Sequence, residues 1–294
     1  MKTLYKRLFT FCFGAPTVFF LVFIPFFNHL PMYLLMAFFE IAGAFEFCRM
    51  AKNKFTIFPT PLIIVDTMIL WIASFLVIAF NLSYEYILWI FAFEILIFFF
   101  IESITAKTFE NSLSKIAVSS LIIFYIGFLT TFITRISTLQ PPKASVQYFE
   151  NAKFPYESYM LILYFIFVFM CDSSAWFFGI LFGKKSRGVI AASPNKSIVG
   201  FIGGILGSIA CGVIFTLFFR EHVFTFSMWR IILTGFFTSL AAITGDLIES
   251  VFKRSTNVKD SGCIIPGRGG AMDCLDSLIP GAVVFYICAF ILFR

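Results

Sequence analysis

Apolar runs of roughly 20 residues recur along this chain, each ended by a short polar or basic connection. An α-helix rises about 1.5 Å per residue, so about 20 apolar residues cross a hydrocarbon core of about 30 Å. The pattern predicts nine spans, near 8–28, 30–48, 62–80, 85–102, 116–134, 158–183, 198–219, 231–252 and 277–293. That is an all-α fold class, a polytopic transmembrane helical bundle. The opening "MKTLYKRLFTFCFGAPTVFF" is basic and then apolar, as a secretory leader is. Its apolar run continues to Phe27, too long for a leader, and it reads as a first span. No repeat, low-complexity tract or separate soluble domain breaks the series.

Composition agrees. The chain is 60% hydrophobic, 20% aromatic and only 13% charged, with a mean hydropathy of +0.95. A soluble core does not need so much apolar surface. A net charge of +6 would suggest nucleic acid in a soluble protein, but excess Lys and Arg in a membrane protein marks cytoplasmic connections. Nucleic acid is therefore discounted as a partner. With the N-terminus inside, the inner connections carry 16 Lys and Arg and the outer ones 6. This asymmetry predicts a cytoplasmic N-terminus, and short tails without targeting extensions point to a bacterial inner membrane. The seven cysteines form no CxxC pair and read as small hydrophobes. Both histidines, His29 and His222, fall on the expected outer side, which leaves no Ser–His pair or Cys/His zinc site.

Polar chemistry concentrates late in the chain. Residues 1–115 read as N-terminal spans of no evident chemical role, and 116–294 as the catalytic region. In "AASPNKSIVGFIGGILG", Ser193 reads as a helix N-cap and Pro194 as its first residue, with Lys196 and Ser197 in the first turn. Such an end is either an anion site or an ordinary capped membrane helix. Gly200, Gly203, Gly204 and Gly207 then form one small-residue face, for close helix packing or for the approach of a bulky ligand. Asp172 falls inside the sixth span. A carboxylate at mid-membrane costs roughly 2.5–3.5 kcal/mol on insertion scales, so it normally faces a cavity or a partner. Glu40, Glu46, Asp66 and Glu94 are expected in structural or interfacial roles, with Asp66 meeting water near a helix end.

The densest stretch is "TGDLIESVFKRSTNVKDSGCIIPGRGGAMDCLDS". Asp246 and Glu249 share a helix face, with Lys253 and Arg254 one turn on. A loop with Lys259, Asp260 and Arg268 leads to Asp273 and Asp276, again three residues apart. Mg²⁺ prefers one or two carboxylates together with phosphate oxygens, while Lys, Arg and backbone N–H groups bind phosphate directly. Triphosphate chemistry needs both. The bland alternative is an interfacial hairpin anchored to headgroups by its charges.

These residues resemble the signature of the phosphatidate cytidylyltransferases. Ser250, Lys253, Arg254, Lys259, Asp260, Ser261, Gly262, Pro266, Gly269, Gly270, Asp273 and Asp276 keep its spacing over 27 positions. "GDLIES", "SPNKS" and "D..AW..G..FGK" upstream are similar too. The resemblance implies a membrane enzyme that makes CDP-diacylglycerol and pyrophosphate from CTP and phosphatidic acid. It implies Mg²⁺, with a monovalent cation such as K⁺, held by Asp246, Asp273 and Asp276. Lys253, Arg254, Lys259 and Arg268 would grip phosphates, with Ser250, Asp260, Ser261, Gly269 and Gly270 completing the signature. Ser193, Lys196 and Ser197 would bind CTP phosphate or the lipid headgroup, and Asp172 would shape the cavity or complete a cation's shell. A second copy of the chain is a candidate partner. Three departures stand out: Arg268 where the family usually has His, Cys274 where it has Arg, and Val199 where a polar residue is common. Alternatives are a CTP-dependent transferase or kinase for another membrane lipid, and an ion-coupled transporter. The last is disfavoured because the polar groups cluster at one face.

Overall fold

The computed structural model describes residues 13–142, 146–149, 154–219, 227–265 and 269–293. Its described residues form a helical bundle with no strand beyond two isolated bridges, Arg187 with Ser197 and Ile265 with Gly269. A short apolar helix, α1 (Phe13–Val22), precedes eight helices long and apolar enough to cross a membrane. These are α2 (Leu30–Ala51), α3 (Thr60–Ala79), α4 (Glu85–Thr105), α5 (Ser112–Ile136), α6 (Tyr156–Leu181), α7 (Ile198–Phe218), α8 (Met228–Ser255) and α9 (Met272–Leu292). The chain is thus an integral membrane protein. Part of the first expected span, 8–28, lies outside the described residues.

Local sequence sets the helix ends. Pro31 and Pro61 occupy first-turn positions of α2 and α3, where a missing N–H costs nothing. At the other end of α8, Asn257 takes a left-handed conformation (φ 60°). The Val258 N–H then donates to the Lys253 carbonyl at 2.9 Å and the Asn257 N–H to that of Arg254 at 3.1 Å. This Schellman turn ends α8 and sends the chain back toward the bundle. In α9, Pro280 cannot donate to the carbonyl of Asp276. Regular helix accordingly stops at Leu275 and resumes at Leu278, leaving Asp276 and Ser277 in a break. Gly245 of α8 lies against the freed Asp276 carbonyl so closely that a Cβ there would overlap it. α5 contains a π-helical segment, Ile123–Phe128, the kind of irregularity that often accompanies a site.

Two apolar cores hold the bundle. One surrounds the buried stretch Tyr159–Val168 of α6 and draws on α1, α2, α8 and α9. The other joins α2, α3, α4 and α5 to Met272, Leu275 and Ile279 of α9, so the early spans share a core with the late ones. Outside, phenylalanines such as Phe93, Phe100, Phe177 and Phe218 remain exposed, as surfaces facing lipid do.

The glycine face of α7 is a packing surface. Gly203 meets Phe178, Gly204 meets Cys171 and Ala175, Gly207 meets Ser174, and Gly212 meets the ring of Phe167. Ser208 adds a hydrogen bond to the Phe167 carbonyl at 2.8 Å. With those side chains in place the face offers a bulky ligand no room. Asp66 is also not at a wet helix end. It is 9% exposed and, with Glu94, lines an apolar cleft of about 530 Å³ between α3 and α4. A Cβ at Gly204 would stand 3.0 Å from the Cys171 carbonyl oxygen. Gly204→Leu should therefore cost about 1–3 kcal/mol by overpacking, measured by denaturation in detergent. The exposed control Leu206→Ala should lose much less; equal losses would contradict this packing.

Candidate active site

The site forms where α7, α8 and α9 meet. Asp246 and Glu249, one turn apart on α8, converge with Asp276 from the break in α9, and one carboxylate oxygen of each lies within 4.8 Å of the others. Glu249 has a side chain only 1% exposed, and its Oε1 has no hydrogen-bond partner among the described residues. An unpaired buried carboxylate oxygen is costly, and this one belongs to a trio of oxygen donors. Asp276 is buried, and its Oδ1 accepts the Ser277 N–H at 2.6 Å. Ser277 Oγ also donates to Asp172 Oδ1 at 3.2 Å, which ties Asp172 of α6 to the same corner.

Two lysines set the electrostatics. Lys196 forms an ion pair with Asp246. Lys253 bridges two carboxylates, donating to Glu249 Oε2 at 2.5 Å and to Asp273 Oδ1 at 2.8 Å. Asp273 is thus bound differently from the trio. Its Oδ2 accepts from Ser261 Oγ and from the Gly270 N–H, both at 2.6 Å. Gly269 has φ +121°, and a Cβ there would overlap that same carboxylate, so glycine is required twice over. The three carboxylates expected together were Asp246, Asp273 and Asp276; the three that converge are Asp246, Glu249 and Asp276.

The helix start in "SPNKS" falls later than its sequence suggests. Ser197, not Ser193, caps α7, accepting the Gly200 N–H at 3.1 Å. Ser193 sits in the preceding turn, where its carbonyl accepts the Lys196 N–H at 3.1 Å. Because Ser197 spends its side chain on this cap, Lys196 is the group of this segment that reaches the carboxylates. Ser250 is buried on α8, while Arg254, Lys259 and Asp260 are exposed and stand apart from the network. Arg268 lies outside the described residues. Beyond the sequence reading, α2 also reaches the site. Glu46 Oε2 accepts the Met272 N–H at 3.0 Å, and the Arg49 guanidinium donates to the Ser261 carbonyl at 2.6 Å. The Tyr125 hydroxyl, from the π segment of α5, stands 3.5 Å from the Asp276 carbonyl. A buried carboxylate three residues before an arginine was the only sequence hint of the α2 contacts.

The "Cytidylyltransferase family" profile matches residues 5–292, nearly the whole chain. The chain belongs to the cytidylyltransferase family. A phosphatidate cytidylyltransferase of Staphylococcus epidermidis is 40% identical over 119 residues, which cover 40% of this chain and 44% of that protein. One from Haemophilus influenzae is 40% identical over 134 residues, 45% of this chain and 46% of its own length. One from Staphylococcus aureus is 42% identical over 120 residues, with 40% and 44% covered. The chain therefore spans less than half the length of these curated relatives in the stretches it matches. In this cytidylyltransferase-family site, Lys253 neutralises two carboxylates that α8 and α9 bring out of water. Breaking such a pair leaves an uncompensated charge and costs about 3–5 kcal/mol when fully buried. Lys253→Met should approach that loss in detergent denaturation, and adding Glu249→Gln should restore part of it. Additive losses would show that Lys253 does not serve Glu249.

Proposed function

We propose that this protein transfers the cytidylyl group of CTP to phosphatidic acid, giving CDP-diacylglycerol and pyrophosphate. The observation that carries the reading is the convergence of Asp246, Glu249 and Asp276 beside Lys196 and Lys253, in a membrane chain of this family. Oxygen donors of this number, one of them buried without a partner, fit a hard divalent cation. On this reading the trio would hold Mg²⁺, with a monovalent ion such as K⁺ alongside. The bound ion would supply charge neutralisation for the triphosphate and leaving group.

A phosphate oxygen of phosphatidic acid forms a bond to the α-phosphorus of CTP. The bond from that phosphorus to the bridging oxygen of the β-phosphate breaks, and pyrophosphate leaves with the electron pair. The nucleophile is already anionic near neutral pH, so no strong general base is required. Catalysis then rests on positioning and charge. Lys253 can turn an ammonium proton from a carboxylate to a phosphate oxygen, and Lys196, ion-paired with Asp246, can donate to phosphate beside it. Asp273, fixed by Lys253, Ser261 and the Gly270 N–H, holds the signature loop in place rather than joining the trio. Arg254, Lys259 and Arg268 are proposed to meet phosphate from the cytoplasmic side. The charge asymmetry of the connections supports a cytoplasmic N-terminus in a bacterial inner membrane, with residues 116–294 as the catalytic region. CTP and phosphatidic acid are the partners, and nothing in the mechanism requires a second copy of the chain.

The test is purified protein in detergent with Mg²⁺, phosphatidic acid and CTP labelled at the α-phosphate. The label should move into the lipid phase, and Asp276→Asn should lower the rate about 100-fold or more, the scale on which lost transition-state charge stabilisation is felt, while remaining folded. No lipid-soluble product, with an active relative assayed in parallel, would overturn the reading.

A further inference from the structure

Glu46 is buried in α2, 1% exposed, and belongs to none of the spans that carry the trio. Burying a carboxylate is costly unless it is well paired, yet among the described residues no cation forms an ion pair with Glu46. It faces the signature loop instead. Its Oε2 accepts the Met272 N–H, the first backbone donor of α9, at 3.0 Å, while Oε1 has no partner among the described residues. Both Gly262 and Gly270 lie so close to this carboxylate that a Cβ on either would overlap it. At Gly270 the same Cβ would also overlap Ser261 Oγ, the hydroxyl that donates to Asp273. One turn along α2, Arg49 donates to the carbonyl of Ser261. Ser261, Gly262, Gly270 and Met272 are therefore set against two side chains of a helix outside the catalytic region.

We infer that Glu46, backed by Arg49, is a positioning residue for nucleotidyl transfer, fixing the start of α9 and hence where Asp273 and Asp276 stand. The inference rests on the function proposed above. Two contacts connect it to the chemistry. Met272 immediately precedes Asp273 and lies one helical turn before Asp276, whose N–H donates to the Met272 carbonyl at 3.0 Å. Ser261, held by Arg49, donates to Asp273, which shares Lys253 with Glu249 of the trio. A shift of the loop would move Asp276 relative to Asp246 and Glu249 while leaving every residue of the trio present. Gln retains an acceptor for the Met272 N–H; Ala does not.

The experiment is a mutant cycle on the full chain in detergent. Glu46→Ala should lower kcat about 100-fold, the scale on which a misplacement of about 1 Å is felt. It should also raise the Mg²⁺ concentration giving half-maximal activity, with KM for CTP changing less than kcat. Glu46→Gln should recover the rate to within roughly tenfold of the unaltered protein. Gly262→Ala should impair the unaltered protein by pushing Glu46 aside, yet add little in the Glu46→Ala background, a non-additivity expected only of groups in contact. Folded Glu46→Ala with normal kcat and Mg²⁺ dependence would overturn the inference. So would additive effects of Glu46→Ala and Gly262→Ala, or a Gln variant as poor as the Ala one. Should Glu46→Ala fail to fold, Glu46→Gln and Gly262→Ala carry the test: a near-normal Gln variant with a slowed Gly262→Ala supports it, and any other result opposes it. Should the unaltered protein make no CDP-lipid, the proposed function fails. The positioning role is then read from thermal stabilisation by Mg²⁺ alone, which Glu46→Ala should weaken and Glu46→Gln should keep. Equal stabilisation in the unaltered and Ala proteins would overturn it.

Discussion

Lys253 stands between Glu249 on its own helix and Asp273 at the start of α9, and the polar end of the bundle is organised around that bridge. Apolar packing alone leaves the rotation of a phenylalanine-rich helix weakly specified, because lipid and neighbouring helices offer similar surroundings. Charge is less forgiving. A buried carboxylate without a partner is worth several kcal/mol in the wrong direction, so α8 and α9 must meet where the lysine reaches both. Lys196, just before α7, and Asp246 of α8 add a second, more exposed ion pair between these helices. The glycine face of α7, Gly245 of α8 and the break in α9 then allow the backbones to approach closely enough for these pairs to form.

The same groups leave an imbalance. In their ionised forms, Asp246, Glu249, Asp273 and Asp276 face the two ammonium groups of Lys196 and Lys253. The excess negative charge and the unpaired Glu249 Oε1 are what a divalent cation would relieve, and such a cation would bring a polyphosphate with it. An interfacial anchor for headgroups would place its cations outward, as Arg254 and Lys259 are placed. It would not bury carboxylates behind them. The arrangement therefore supports nucleotide chemistry over simple anchoring.

Much of this was legible from the sequence. Runs of apolar residues announced the spans because the bilayer demands both length and hydropathy of every helix. Spacing placed Asp246 with Glu249 and Asp273 near Asp276. What spacing could not do was choose among these four. Asp273 and Asp276 are three residues apart and would share a face in a regular helix. Pro280 breaks α9 at Asp276 and Ser277, so the two carboxylates serve different partners. Ser193 and Ser197 both precede the apolar run, and sequence alone does not distinguish them as the cap of α7. A hydroxyl reaches the backbone N–H three residues on only from the true start of the helix. Glu46 is expected in a structural role, but its partner is not legible, because its contact with Met272 spans 226 positions. Nothing local marks it beyond a carboxylate where lipid would be expected.

Asp246, Glu249 and Asp276 are proposed to form one cation site that serves the nucleotide. Mn²⁺ prefers the same oxygen donors as Mg²⁺, and its paramagnetism reports binding directly. Titration of the purified protein with Mn²⁺, followed by electron paramagnetic resonance with and without CTP, tests the claim without relying on turnover. One site should saturate, bind more tightly with CTP present, and weaken at least tenfold in each of Glu249→Gln and Asp276→Asn. Unchanged Mn²⁺ binding in both variants would show that these carboxylates do not hold the cation.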